Sequence, residues 1–286
     1  MPAKFGPAGN SASFAAMGYK HSLDVPEYIE KMGLDAFEYQ CGRGVNIGLD
    51  KAAALGSLAK EKGIVLSLHA PYYISMSSVE EEKRLNSINY ILASARAVNA
   101  MGGNRIIVHT GSCGKISRAE ALELAIDTMK KSVAALDSEG LSNIHICPET
   151  MGKVNQLGTL DEVLELCRVD ERLIPCIDFG HLNARDLGYF KSLAEYNSVF
   201  ERIENKLGSE RLHSFHSHFS KIEYTAGGEK KHLTFEDDVF GPDFEPVMEL
   251  THKYNCSPIF ICESAGTQAE DAKAMKDYYL KIRGEV

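Results

Sequence analysis

A single (β/α)8 TIM barrel spanning residues 1–286 is the architecture this sequence predicts, and three observations predict it. Short apolar runs alternate with helix-like stretches along the whole chain, and no Gly-, Pro- or Ser-rich linker divides it. Histidine, aspartate or glutamate stands at the C-terminal end of six of those runs. In a parallel barrel every strand ends at one mouth, so residues far apart in sequence converge there. A doubly wound open sheet is the alternative, but it binds at one switch point between two strands rather than gathering ligands from six.

In chain order, the first strand is expected over 4–8 (KFGPA), then a helix over 26–32 and a strand over 36–40 (AFEYQ). A helix over 51–62 leads into the strand 65–70 (VLSLHA), and a long helix over 79–101 into 105–110 (RIIVHT). The helix 118–138 contains LELAIDTMKKSVAAL, whose apolar residues recur three and four apart, the period of an amphipathic helix. Strand 143–149 (NIHICPE), helix 159–168 and strand 173–178 (LIPCID) follow. Helix 188–207, strand 212–218 (LHSFHSH), helix 246–254, strand 258–263 (PIFICE) and helix 268–283 complete the eightfold alternation. The longest irregular stretch is 220–243, which carries His232.

Composition narrows the setting. A hydrophobic fraction of 44% and a charged fraction of 25% are those of an ordinary soluble protein. Seven scattered cysteines without a CxxC pair argue for reduced thiols and a cytoplasmic location. The N-terminus has no signal-peptide pattern, and no apolar run approaches the ~20 residues that span a bilayer. The formal charge of −9 argues against a general nucleic-acid binder, although a metal cluster would add positive charge locally. No protein partner can be inferred.

The strand-end residues form a ligand set suited to zinc, manganese or iron. His69 and His109 each follow an apolar run; one such histidine reads as a buried ring satisfied by backbone, but two at equivalent positions read as ligands. Glu149, just after Pro148, needs a cation or several donors once buried, and can bridge two metals. Asp178 and His181, in DFGH, either turn back over the mouth around Gly180 or place a capping aspartate before a helix. His216 and His218 share a strand face and His213 lies on the other. His216 is the expected ligand, with His218 either touching substrate, bracing a ligand or simply packed. His145 is a polar core residue about 7 Å per two residues below the mouth, and His252 is solvated. Glu263 completes the ring. Tyr72 and Tyr73 either stack on a base or sugar or cover the rim.

Three segments carry a resemblance to a known family. HAPYYISM, at His69 and Tyr72, PCIDFGH, at Asp178 and His181, and FHSHFSKIEYTAGGEKKH, at His216, Ser220, Lys221 and His232, resemble the motifs of endonuclease IV apurinic/apyrimidinic endonucleases, within the xylose-isomerase-like barrels. The resemblance covers nearly the whole chain. It implies two to three zinc ions, with manganese or iron as alternatives. His69 and His109 would hold one ion with Glu149, which bridges to a second completed by Asp178, His216 and Glu263. His181 and His232 would hold the third. It further implies Glu149 and Glu263 as catalytic residues, Tyr72 against the substrate, and incision of DNA 5′ to abasic sites. The products would be a 3′-hydroxyl and a 5′-deoxyribose phosphate.

The third segment also departs from the family. His218 and Phe219 replace an asparagine and an acid, and Lys230, a cation that cannot ligate while charged, stands where an aspartate ligand is usual; Glu229, one residue before it, substitutes if the loop shifts. The alternative function is a sugar isomerase or epimerase on the same barrel, which uses one or two divalent metals and mostly carboxylate ligands. A metal-depleted binding protein is disfavoured by the complete first and second ligand sets.

Overall fold

A computed structural model describes residues 2–285. The strands and helices run β1 (Lys4–Pro7), α1 (Ala12–Ala16), α2 (Val25–Lys31), β2 (Ala36–Gln40), α3 (Leu49–Glu61), β3 (Val65–His69), α4 (Glu81–Ala100) and β4 (Arg105–Val108). The second half runs α5 (Arg118–Ser138), β5 (His145–Pro148), α6 (Leu160–Cys167), β6 (Cys176–Asp178), α7 (Phe179–Arg185), α8 (Leu193–Leu207), α9 (Ser209–His213) and β7 (His216–Phe219). A hairpin of β8 (Ile222–Thr225) and β9 (Gly228–His232) precedes α10 (Glu245–Lys253), β10 (Ile259–Cys262) and α11 (Gln268–Arg283).

Two parallel four-stranded arcs, β2-β3-β4-β5 and β6-β7-β10-β1, make the wall. They close on each other through parallel bridges between Ala8 and Glu38 and between Glu149 and Cys176. The result is an α/β barrel of eight parallel strands in sequence order, as the alternation predicts. Strand alternation divides the side chains: in β3, Leu66 and Leu68 join the main apolar core under the helices, while Ser67 and His69 face inward. Val65 instead packs with Ala8, Ala36, Ile259 and Ile261 in a small cluster, and Ile107, Cys147, Ile174 and Cys176 form another. Around Glu38, Ser67 and His216 the barrel interior is polar. All seven cysteines are buried free thiols. Among the described residues, no helix is long and apolar enough to cross a membrane.

Four departures from the sequence reading matter for the site. The segment over 212–218 splits: Leu212 and His213 belong to α9, and β7 begins at His216. The expected helix 188–207 begins only at Leu193, where Ser192 and Glu195 form a capping box. The stretch read as irregular, 220–243, contains the β8–β9 hairpin. Helix α7, too short to show periodicity, starts directly at the end of β6.

Candidate metal centre

One carboxylate organises the mouth. Glu149, fully buried at the end of β5, has Oε2 3.3 Å from His69 Nε2 and 3.1 Å from His109 Nε2. Its Oε1 lies 3.1 Å from His218 Nδ1 and 3.3 Å from His181 Nδ1. Four imidazoles from four strand ends thus converge on a single side chain. Burial alone would raise the Glu149 carboxyl, but His218, His109 and His181 hold it well below its ordinary 4.5.

The Asp178–His181 turn realises both readings of its sequence. Asp178 caps α7, its Oδ1 accepting the His181 N–H at 2.7 Å, and the helix's first turn brings the imidazole back over the mouth. Oδ2 of Asp178 is buried with no hydrogen-bond partner. Burial, with Glu263 and Glu149 adding to it against His181, raises Asp178 to about 6. His181 goes the other way: burial would lower it, yet Asp178, Glu149 and Glu229 raise it to about 10.

Glu229 fills the corner that Lys230 cannot. Lys230 turns outward to pair with Glu223, whereas Glu229 Oε2 lies 3.4 Å from His181 Nε2 and Oε1 lies 3.9 Å from His232 Nε2. The hairpin reaches this position by docking on the loop after β5, with Glu229 N–H donating to the Gly152 carbonyl at 3.0 Å. A Cβ on Gly152 would stand 2.6 Å from Glu229 Cβ and 2.8 Å from His181 Cδ2, so only glycine permits the approach. Arg185, one helical turn beyond His181, fixes the same loop by donating to the carbonyls of Met151, Lys153, Val154 and Gln156. Gly152→Ala is therefore expected to push Glu229 and His181 apart and remove one bound metal equivalent while leaving the others. Elemental analysis checks it; unchanged stoichiometry would show that this corner holds no ion.

His216 lies one layer below the other expected ligands, its donor atom within 4.8 Å of those of Cys176 and His218. β7 starts at residue 216, so its side chain lies one layer down, fully buried, with Nε2 3.0 Å from Glu38 Oε2. Burial, only partly offset by Glu38, lowers His216 to about 4. His218, two residues further along the same face, takes the place among the carboxylates: its Nδ1 is 3.6 Å from Glu263 Oε1 as well as 3.1 Å from Glu149. Glu38 was absent from the sequence reading. Its signal was a lone acid in mid-strand, in AFEYQ, with Phe37 packed into the core outside and Glu38 alternating inward.

Donor atoms of Glu149, Asp178, His218 and Glu263 all lie within 4.8 Å of one another. The same holds for His69, His109 and Glu149, and for His181, His232 and Glu263. Nitrogen and oxygen donors in this number, with the buried Asp178 Oδ2 making no hydrogen bond and only an ion-pair contact 3.2 Å from His181 Nδ1, fit zinc, manganese or iron. In the metal-free protein, protons on His181 and Asp178 offset the crowded charge. Metal uptake is thus expected to release protons and to tighten as pH rises from 6 towards 10, the interval set by these two groups. Proton release in weakly buffered solution on adding zinc measures it; uptake without release would contradict it. His232 is braced by Ser220 Oγ at 2.8 Å from its Nδ1. Above the site a cavity of about 480 Å³ opens, lined by Tyr72, Lys153 and Gln268 among others. Tyr72 is 58% exposed and stacks on His109 at 5.2 Å.

A family model described as xylose isomerase-like TIM barrel matches residues 26–280. An uncharacterized protein of Methanocaldococcus jannaschii is 33% identical over 274 residues, 96% of each chain. A probable endonuclease 4 of Acholeplasma laidlawii is 27% identical over 180 residues, 61% of this chain and 60% of that one. Among solved structures, a D-tagatose 3-epimerase-like protein superposes with a TM-score of 0.71 at 20% identity, covering 99% of this chain and 98% of its own. Endonuclease IV from Thermus thermophilus does so at 0.66 and 15%, covering 97% of this chain and 99% of its own. At these identities the superpositions establish the fold alone.

Proposed function

This chain belongs to the xylose isomerase-like TIM barrel family, and we propose that within it the protein is a metal-dependent phosphodiesterase of endonuclease IV type, incising DNA at abasic sites. The observation that carries this reading is the corner formed by His181, Glu229 and His232, added to the His69–His109–Glu149 set. An imidazole-rich mouth able to hold two to three ions suits a doubly liganded phosphate better than a sugar. Bound divalent ions, zinc foremost, would supply Lewis acidity and a water activated near neutral pH.

The chain's own groups then have separable tasks. Glu149 ties the His69–His109 pair to the set of Asp178, His218 and Glu263. Glu263, half-open to the cavity, is placed to take or return a proton, and Tyr72 offers a ring to the substrate. Lys153 on the cavity wall supplies a cation for a phosphate oxygen. With a formal charge of −9, affinity for DNA rests on the mouth alone, so activity should fall steeply with salt.

A second reading has its own observation. The set Glu149, Asp178, His218 and Glu263 offers three carboxylates and one imidazole. That is the carboxylate-dominated site of a sugar isomerase or epimerase, and Glu149 and Glu263 would then exchange a substrate proton. The deciding experiment offers zinc- or manganese-loaded protein an abasic duplex, an intact duplex and a panel of ketohexoses, with and without chelator. Metal-dependent cleavage of the abasic duplex alone is the expected result. Turnover of a ketose with both duplexes left intact would transfer the assignment to the epimerase.

A further inference from the structure

The imidazoles at the mouth differ in which ring nitrogen meets a fixed acceptor. His69 turns Nδ1 to the Ala70 carbonyl at 2.9 Å, leaving Nε2 towards Glu149. His181 has Nδ1 2.9 Å from the Thr150 carbonyl, with Asp178 Oδ2 and Glu149 Oε1 at 3.2 and 3.3 Å, leaving Nε2 towards Glu229. A carbonyl can only accept, so in both rings Nδ1 keeps the hydrogen and Nε2 keeps the lone pair for a cation. His218 is inverted: Nδ1 faces Glu149 and Glu263, and Nε2 lies 2.9 Å from Glu38 Oε1.

Glu38 itself is fully buried in mid-barrel. Ser67 Oγ donates to its Oε2 at 2.9 Å and Gln40 Nε2 to its Oε1 at 3.2 Å, while His216 Nε2 stands 3.0 Å from Oε2. No lysine or arginine pairs with it among the described residues. A buried carboxylate without a cation is costly unless every oxygen is engaged, and here Ser67, Gln40 and His216 engage both oxygens from outside the ligand set.

We propose that Glu38 is a positioning residue for the metal centre. Its Oε1, 2.9 Å from His218 Nε2 though not aligned as a hydrogen bond, favours by its charge the tautomer that keeps a hydrogen on Nε2 and presents Nδ1 to the cation, while Ser67, Gln40 and His216 hold the carboxylate in place. Glu38 does for His218 what main-chain carbonyls do for His69 and His181, and a charged acceptor also makes the ring a stronger donor to metal. The inference rests on the metal-binding reading of the mouth, not on the choice of substrate.

The test measures zinc affinity by chelator competition and the His218 ring tautomer by nitrogen-15 NMR of the zinc-loaded protein. Glu38→Gln keeps the volume and removes the charge; zinc should bind ~10–100-fold more weakly, and the His218 signal should leave the single Nε2–H form seen in the parent. Should Glu38→Gln not fold, Ser67→Ala loosens the same carboxylate and should weaken zinc binding several-fold. Parent-like affinity with an unchanged tautomer in the folded variant would overturn the role of Glu38 and leave the metal site standing. Failure of the parent protein to bind zinc at all would overturn both.

Discussion

Glu149→Gln is expected to empty the centre and to cost the metal-free protein stability as well. Four imidazoles lie within 3.3 Å of this carboxylate, so its removal disconnects His69 and His109 from His181 and His218. Loss of metal affinity should exceed the ~10–100-fold that follows removal of a group merely bracing a ligand, and activity should fall with it. In the metal-free state, deleting one partner of a buried charge cluster costs on the order of 3 kcal/mol. The pH dependence separates this from a packing defect. Glu149, held well below 4.5, contributes stability above that value and loses it as pH falls through its folded value. His181, raised from 6.5 to about 10, contributes fully below 6.5 and loses its share as pH rises through 10. The deficit of the variant should therefore peak between 4.5 and 6.5 and shrink on either side. Urea unfolding of parent and variant across that range checks it; a deficit independent of pH would mean that the cluster's charges do not act as described.

The barrel was legible because its signals are periodic and repeated. Each of the eight apolar runs overlaps a strand of the wall, the seventh beginning at 216 rather than 212, and helices 118–138 and 268–283 coincide with α5 and α11. What escaped notice was short. Helix α7 has seven residues, fewer than two full turns, and hides behind the DFGH motif. The β8–β9 hairpin, with polar residues on both faces and its register shifting between Glu223 and Tyr224, carries no alternation to read.

The site was legible where chemistry and position coincide. His69, His109, Glu149, Asp178, His181 and Glu263 end strands or begin the loop beyond, and the structure brings their side chains together. Glu38 was not, because nothing in a sequence says how deep a barrel's interior stays polar. Glu229 depended on a loop path set by Gly152, a close approach between segments 77 residues apart that spacing cannot show.

The register of β7 decides between its two histidines, and substituting each should give opposite results. Because α9 takes up Leu212 and His213, β7 starts at residue 216 and reaches the mouth only at His218 and beyond. His218→Ala removes a nitrogen 3.1 Å from Glu149 and 3.6 Å from Glu263, and should cost one metal equivalent and most of the activity. His216→Ala removes only a brace on Glu38, so stoichiometry at saturating zinc should stay that of the parent, with affinity reduced less than in His218→Ala. His216 is also a ring that burial keeps neutral, its value lowered from 6.5 to about 4. Such a group lowers stability as pH falls below 6.5, where the unfolded chain takes up the proton first. Its replacement should therefore lessen the acid sensitivity of the fold between 6.5 and 4, a change that His218→Ala would not share. Zinc stoichiometry and acid unfolding on the same two variants measure both effects. Loss of a metal equivalent from His216→Ala with full retention in His218→Ala would mean that β7 sits two residues out of the register described, and that the ligand is the histidine the sequence motif first indicated.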